Sequence, residues 1–294
     1  AIAYYSKWNG DYPYNHATAI DGALTAGAGM EYPNITVIGP SGSERQLETV
    51  IVHEVGHNWF YGILGSNERK HPWMDEGMNS FNEMRYMYTK YPPDPKTMET
   101  KQILKDMLDI GKFNNKTLKE LEYQLNAARR LDQPIELPAE NYTQINYGTI
   151  VYAKTALVLD YLKAYLGEET FDKAMQAYFE KWKFKHPQPE DFKAVMEESA
   201  GQKLDWFFTD LIDSTKKLDY RLAAVSNNQV RIKNVGQVNG PLVLAGIKNN
   251  KVVKEQWYPG FSGVQTIDFS ASQYDKVRID PMGYMPEINR NNNT

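Results

Sequence analysis

The 294-residue sequence predicts a mainly α (α+β) domain over residues 1–215, followed by a small all-β sandwich domain over residues 216–294. Two observations carry that prediction. Up to about residue 213, apolar residues recur every three or four positions over long stretches, the period of helices buried along one face. Beyond Lys217 the texture changes to short β-branched and aromatic runs separated by Asn-Asn, Gly-Pro and other Gly-containing turns. The length agrees, being better suited to two compact units than to one.

In chain order, Ala1 to Tyr14 reads as the end of a helix running into an Asp-Tyr-Pro-Tyr turn, because Pro13 cannot continue a helix and biases Tyr12 towards extended backbone. Ile35 to Ile38 is a β-branched run that stops at Gly39-Pro40, and it reads as a strand. From Ser43 to about Ile63 the pattern is helical through Leu47, Val50, Ile51 and Val55, with Ser41 or Ser43 as the cap. Further helices are expected at about 74–90, 95–111, 116–131, 147–166, 168–183, 189–199 and 203–213. The runs LDYRLAAVSNNQVRIKN, PLVLAGIKNNKVVKEQWY, VQTIDFS and DKVRID then supply the strands of an antiparallel sandwich.

Composition narrows the functional classes. The net charge is only −4, and no stripe of Lys and Arg interleaves with aromatics, which argues against a nucleic-acid partner. The chain has no cysteine, which excludes disulfides, thiolate metal sites and cysteine nucleophiles. No apolar run approaches the roughly 18 residues of a membrane span, and no signal peptide is visible.

The segment TVIVHEVGHNWFYGI places His53 and His57 four residues apart on a predicted helix, so their imidazoles share one face and converge on a single ion. Glu54 is rotated about 100° away; it does not join them as a ligand but reaches a water on the same ion. The competing reading is an ordinary helix that happens to carry this pentapeptide, and a third ligand separates the two. Catalytic zinc takes three protein ligands and keeps a fourth position open. A carboxylate from HPWMDEGMNSF, where Asp75 or Glu76 begins another helical run, is placed to complete the set.

HEVGHNWFYG followed by WMDEGMNSF, with eighteen residues between His57 and Glu76, resembles the zinc signature of the M1 family of metallo-aminopeptidases, in its bacterial form. AGAGMEYPN resembles the exopeptidase motif of that family through Gly29, Met30 and Glu31, with Gly29 standing where alanine is usual. INYGTIVYAKTALVLDYLKAYLG resembles its tyrosine-bearing helix, with Tyr152 at the catalytic position; Tyr147 has a counterpart in some members. The likeness runs from about Tyr5 to Thr215. It implies a thermolysin-like catalytic domain followed by an immunoglobulin-like sandwich, with one zinc ion per chain held by His53, His57 and Glu76. It also implies that Glu54 is the general base, that Tyr152 supports the oxyanion, and that Gly29, Met30, Glu31 and Tyr147 contact substrate. The large N-terminal β-domain of the family and the first strands of its catalytic domain are expected to be missing.

The implied partners are peptides with a free N-terminus and an N-terminal domain of the same protein. Each assignment has a structural alternative: Tyr152 as a packed helix residue, Tyr147 as packing at a helix start, Glu31 as a solvated turn residue, Met30 as filler. The implied function is that of a zinc aminopeptidase. The rival readings are a zinc endopeptidase or related hydrolase that needs no free amine, and an inactive fragment that binds zinc and peptide. The compartment stays open, with a periplasmic or secreted setting suggested by the bacterial likeness.

Overall fold

The computed structural model describes residues 1–24, 28–92 and 115–294; the helix expected at 95–111 lies outside them. Helix α1 (Ile2–Asn9) stops at Gly10, and Pro13 follows, as the sequence predicts. Three short strands come next: β1 (Thr18–Asp21), β2 (Gly29–Met30) and β3 (Ile35–Ile38). They form a small mixed sheet in which β3 is central, parallel to β1 and antiparallel to β2. Only β3 is visible in the sequence. All four residues of β1 are exposed, and β2 has two residues, so neither leaves an apolar alternation to read.

Helix α2 (Glu44–Gly56) starts where Ser43 accepts a hydrogen bond from the Gln46 N–H, the expected cap. It ends seven residues earlier than the predicted Ile63. His57 keeps helical backbone, but the chain then folds back: the Gly62 N–H donates to the His57 carbonyl, and Tyr61 takes φ 110°. A tyrosine in that region is strained, and no residue type at the position announces the turn.

A wide π-helical turn, Trp73–Gly77, leads into α3 (Met78–Lys90). Helix α4 (Asn115–Ala127) is shorter than its predicted extent of 116–131. A second π-helical stretch, Tyr147–Lys154, continues into α5 (Thr155–Leu166), and together they reproduce the predicted helix at 147–166. Helices α6 (Glu168–Trp182) and α7 (Pro189–Ala200) follow. Helix α7 opens with a reciprocal cap between Gln188 and Asp191, carries proline at its first position and closes on Gly201 at φ 62°. A last π-helical segment, Trp206–Ile212, precedes the strands.

Strands β4 (Tyr220–Val225), β5 (Gln229–Asn234) and β8 (Val264–Asp268) form one antiparallel sheet in the order β4-β5-β8. Strands β6 (Leu242–Lys248), β7 (Lys251–Tyr258) and β9 (Lys276–Ile279) form a second, in the order β7-β6-β9. Asn249 and Asn250, at φ 51° and 58°, make the two-residue turn between β6 and β7 whose twist matches the flanking strands. β5 alternates exposed and buried residues, whereas Leu242 to Ala245 of β6 are buried on both sides. The second covering is helical. Tyr161 of α5 donates a hydrogen bond to the Pro241 carbonyl, and its ring lies 5.0 Å from Trp206 and 6.1 Å from Trp257 of β7. One buried apolar cluster therefore runs from Tyr5 in α1 to Met285 beyond β9.

Candidate metal centre and surrounding site

Helix α2 and the turn Trp73–Gly77 bring three donor atoms together. His53 Nε2 lies 3.1 Å from Glu76 Oε2, His57 Nε2 lies 3.3 Å from the same oxygen, and the two imidazole nitrogens are 3.2 Å apart. A tetrahedral zinc with bonds of about 2.0–2.2 Å sets its donors about 3.3–3.6 Å apart, so this triangle matches zinc to within a few tenths of an ångström. Two nitrogens and one carboxylate oxygen are also donors that zinc accepts.

Each imidazole is held from behind. His57 Nδ1 is 2.7 Å from Asp75 Oδ1 and 3.1 Å from the Phe60 carbonyl; His53 Nδ1 is 3.1 Å from Glu83 Oε2. These acceptors keep the proton on Nδ1 and turn Nε2 to the shared point. Glu83 is in turn fixed by Asn115 Nδ2 at 2.7 Å, with Lys119 Nζ at 3.8 Å. Asn79 Nδ2 donates to the His53 carbonyl, and its Oδ1 accepts from the Tyr5 hydroxyl, which ties α1, α2 and α3 behind the site. Glu83 stands seven residues after Glu76, two helical turns along one face, a signal that could have identified it in the sequence. Asn58 orients no imidazole: its Nδ2 donates to the Val55 carbonyl, and its Oδ1 accepts from the Asn34 N–H, pinning the loop after β2 to α2.

The electrostatics follow from burial and pairing. Burial opposes a charge on His53, but its hydrogen bonds to Glu76 and Glu83 outweigh it and hold the imidazole at about 9. For His57, Asp75 and Glu76 likewise overcome burial and hold it well above its ordinary value. Burial raises Glu76, yet the two imidazoles outweigh that and keep its carboxyl well below the usual range. Glu54 is 6% exposed, and its Oε2 has no hydrogen-bond partner. Burial pushes its carboxyl up to about 7, against the pull of His53 and His57.

The other predicted residues surround this centre. Tyr152, on the π-helical stretch before α5, stacks on His53 at 6.0 Å with a 24° interplanar angle. Burial first, then the charge and hydrogen bond of Glu76, push its hydroxyl well above the ordinary range. Tyr147 packs edge-on against Tyr152 at 5.9 Å, and burial followed by Glu76 and Asp75 pushes it up to about 12. Strand β2 passes beside α2: a Cβ on Gly29 would lie 2.3 Å from Glu54 Oε1, so glycine permits the approach. Met30 is exposed, and its carbonyl accepts from the Thr36 hydroxyl. Glu31 follows, with a carboxylate oxygen within 4.8 Å of donor atoms of Glu54 and His57. Glu31, Glu76 and Tyr147 line a cavity of about 220 Å³, together with Glu68, Arg69, Pro72, Asp75 and Ala139. Gly77 is the other glycine the geometry requires, since a Cβ there would lie 2.5 Å from Thr155 Cγ2 and 2.7 Å from the Val151 carbonyl.

A helical body carrying a two-histidine, one-carboxylate centre is the arrangement of a metallopeptidase, and comparison with known proteins gives the family. The sequence model of the peptidase family M1 domain matches residues 3–211, and the chain belongs to that family. It is 25% identical over 198 residues to glutamyl aminopeptidase of Homo sapiens, covering 67% of this chain and 18% of that protein. It is 25% identical over 173 residues to aminopeptidase M1-B of Oryza sativa subsp. japonica, covering 56% and 17%. The chain thus spans less than a fifth of the length of these relatives. Among solved structures, the fold matches Legionella pneumophila aminopeptidase A in complex with aspartic acid at TM-score 0.67 and 15% identity, over 97% of this chain and 33% of that one. An M1 zinc metallopeptidase of Deinococcus radiodurans matches at TM-score 0.54 and 16% identity, over 73% and 42%. Among the described residues, no helix is long and apolar enough to cross a membrane.

Proposed function

We propose that this chain is the catalytic part of a zinc aminopeptidase, with one zinc ion held by His53, His57 and Glu76. The observation that carries the reading is the triangle of 3.1, 3.2 and 3.3 Å between their donor atoms. When bound, zinc polarises the scissile carbonyl and lowers the pKa of a water towards neutrality. The protein's own groups do the rest. Glu54, buried with a free carboxylate oxygen, takes a proton from the attacking water and delivers it to the leaving amine. Tyr152, held protonated, donates a hydrogen bond to the developing oxyanion. Glu31 accepts from the free α-ammonium, which limits cleavage to the first residue; Tyr147 lines the cavity with it, and Gly29 and Met30 of β2, just before Glu31, contact the substrate beside it. In the same reading, residues 1–215 form a thermolysin-like catalytic domain and residues 216–294 an immunoglobulin-like sandwich.

The test is zinc content together with cleavage of aminoacyl fluorogenic amides by the purified chain, with 1,10-phenanthroline as control. One zinc per chain with chelator-sensitive release from free-amine substrates is the expected result. Equal cleavage of N-acetylated and free peptides would replace the aminopeptidase with an endopeptidase, and absence of zinc would remove the metal reading.

A further inference from the structure

Behind the turn that carries Glu76 stands a carboxylate that the proposed chemistry does not use. Glu136 is largely buried and holds two partners at once: its Oε1 lies 2.6 Å from His71 Nδ1, and its Oε2 accepts from the Trp73 indole N–H at 2.6 Å. A buried indole N–H needs only one acceptor. Here the same carboxylate also reaches the imidazole two residues earlier, so it bridges the chain across Pro72. Trp73 is fully enclosed, with its ring 6.1 Å from that of Phe192. The loop bearing Glu136 is itself fixed: the Ile135 and Glu136 N–H groups both donate to the Ile212 carbonyl, and the Ala139 N–H donates to the Arg69 carbonyl.

Trp73 opens the π-helical turn Trp73–Gly77, and the Met78 N–H reaches back five residues to the Trp73 carbonyl. Turns this wide are rare, and relaxation to the α-helical spacing of four would rotate Glu76 relative to Trp73. The exit of the turn is held where Gly77 packs against Thr155 and the Val151 carbonyl. We propose that Glu136 holds the entry: it is a positioning residue that, through His71 and Trp73, fixes the direction of Glu76 at the metal centre. The proposal rests on the reading of Glu76 as the third zinc ligand. A ligand that is held in place before the ion arrives loses less freedom on binding it, so zinc affinity is the property that this brace controls.

The experiment measures zinc affinity by chelator competition, and the visible spectrum of the Co²⁺-loaded chain as a report on ligand geometry, for the parent and for Glu136→Ala, Glu136→Gln and Glu136→Asp. Thermal midpoints of the metal-free proteins are read beside them. Glutamine keeps the reach: its oxygen accepts from Trp73, and its amide donates to His71 Nδ1 once the imidazole changes tautomer. Aspartate keeps the charge but stops one methylene short. The expected result is about a tenfold loss of zinc affinity in Glu136→Ala and Glu136→Asp, with an altered Co²⁺ spectrum, and parent values in Glu136→Gln. Parent affinity and spectrum in Glu136→Ala, with only the midpoint lowered, overturn the proposal and leave Glu136 a purely structural role. Should Glu136→Ala fail to fold, Glu136→Asp decides by the same two readings. Glu136→Gln as weak as Glu136→Asp overturns it in favour of the charge acting at a distance. Glu76→Ala tests the underlying reading: if it binds zinc as the parent does, Glu76 is not the ligand and both fall, whereas parent behaviour of the Glu136 variants alone leaves Glu76 in place.

Discussion

Glu54 and Glu76 are carboxylates in one site, separated by what they face. Glu54 ends in a buried oxygen without a partner, Glu76 in an oxygen shared by two imidazoles. Glu54→Gln should keep the zinc content of the parent and lose about 10²–10⁴-fold in turnover, read by metal analysis beside amide hydrolysis. Glu76→Ala should lose the metal itself, and full occupancy in that variant would exclude it as the third ligand. Glu83→Gln retains an acceptor for His53 Nδ1–H but removes the charge, and zinc affinity should fall about 10- to 100-fold in a chelator competition. The neighbouring carboxylates raise both imidazoles above their ordinary value, so zinc competes with protons for their Nε2 atoms. Its apparent affinity should therefore rise with pH between 6 and 8, by about tenfold per pH unit for each proton displaced; a flat profile would mean that no proton leaves the imidazoles. At this scale the sequence is legible where the chemistry is local: His53, Glu54 and His57 lie on one helical turn. It is silent on Glu136, which meets Trp73 from 63 residues further along the chain.

Among elements, the contact between the turn Trp73–Gly77 and the helix starting at Tyr147 is the most demanding. Gly77→Ala would press a methyl against Thr155 and the Val151 carbonyl, forcing apart the segments that carry Glu76 and Tyr152. The expected cost is about 1–3 kcal/mol, seen as a lower midpoint in thermal unfolding, with turnover reduced alongside it. Thr155→Gly should restore only part of this, because the Val151 carbonyl belongs to the backbone. The helix at 147–166 could be read from periodicity because its buried face is continuous from Ile150 to Leu162. The end of α2 could not, because what stops it is a tyrosine at φ 110°, a conformation that sequence pattern does not signal. β1 and β2 escaped notice for a different reason: they are held by pairing to β3, not by an apolar face of their own.

Over the whole molecule, the helices and the two sheets share one apolar cluster, and the strand-rich part ends in a tail that is partly buried. Glu287 of that tail accepts from the Tyr220 N–H and from Asn293 Nδ2 and is nearly inaccessible. Burial outweighs those hydrogen bonds and pushes its carboxyl up to about 8. The folded state therefore holds this proton more tightly than the unfolded chain does. Its contribution to stability is complete below the unfolded value of about 4.5 and is lost as pH rises towards about 8. Glu287→Gln should flatten the decline in thermal midpoint between pH 5 and 8; an unaltered slope would assign the decline elsewhere. Behind the change of texture near residue 216, strand β4 begins at Tyr220. The contact of α5 with the start of β6 was not legible, because Tyr161 and Pro241 lie 80 residues apart in the chain.

The meeting of Tyr161, Trp206 and Trp257 between the helices and the sheets also has an optical consequence. Two of the six tryptophans sit in that junction, whereas Trp59 and Trp73 are enclosed within the helical body. Separation of sheets from helices would hydrate Trp206 and Trp257 first. Their emission would move to the red while the enclosed pair kept its blue-shifted spectrum, so fluorescence distinguishes loosening at this seam from global unfolding.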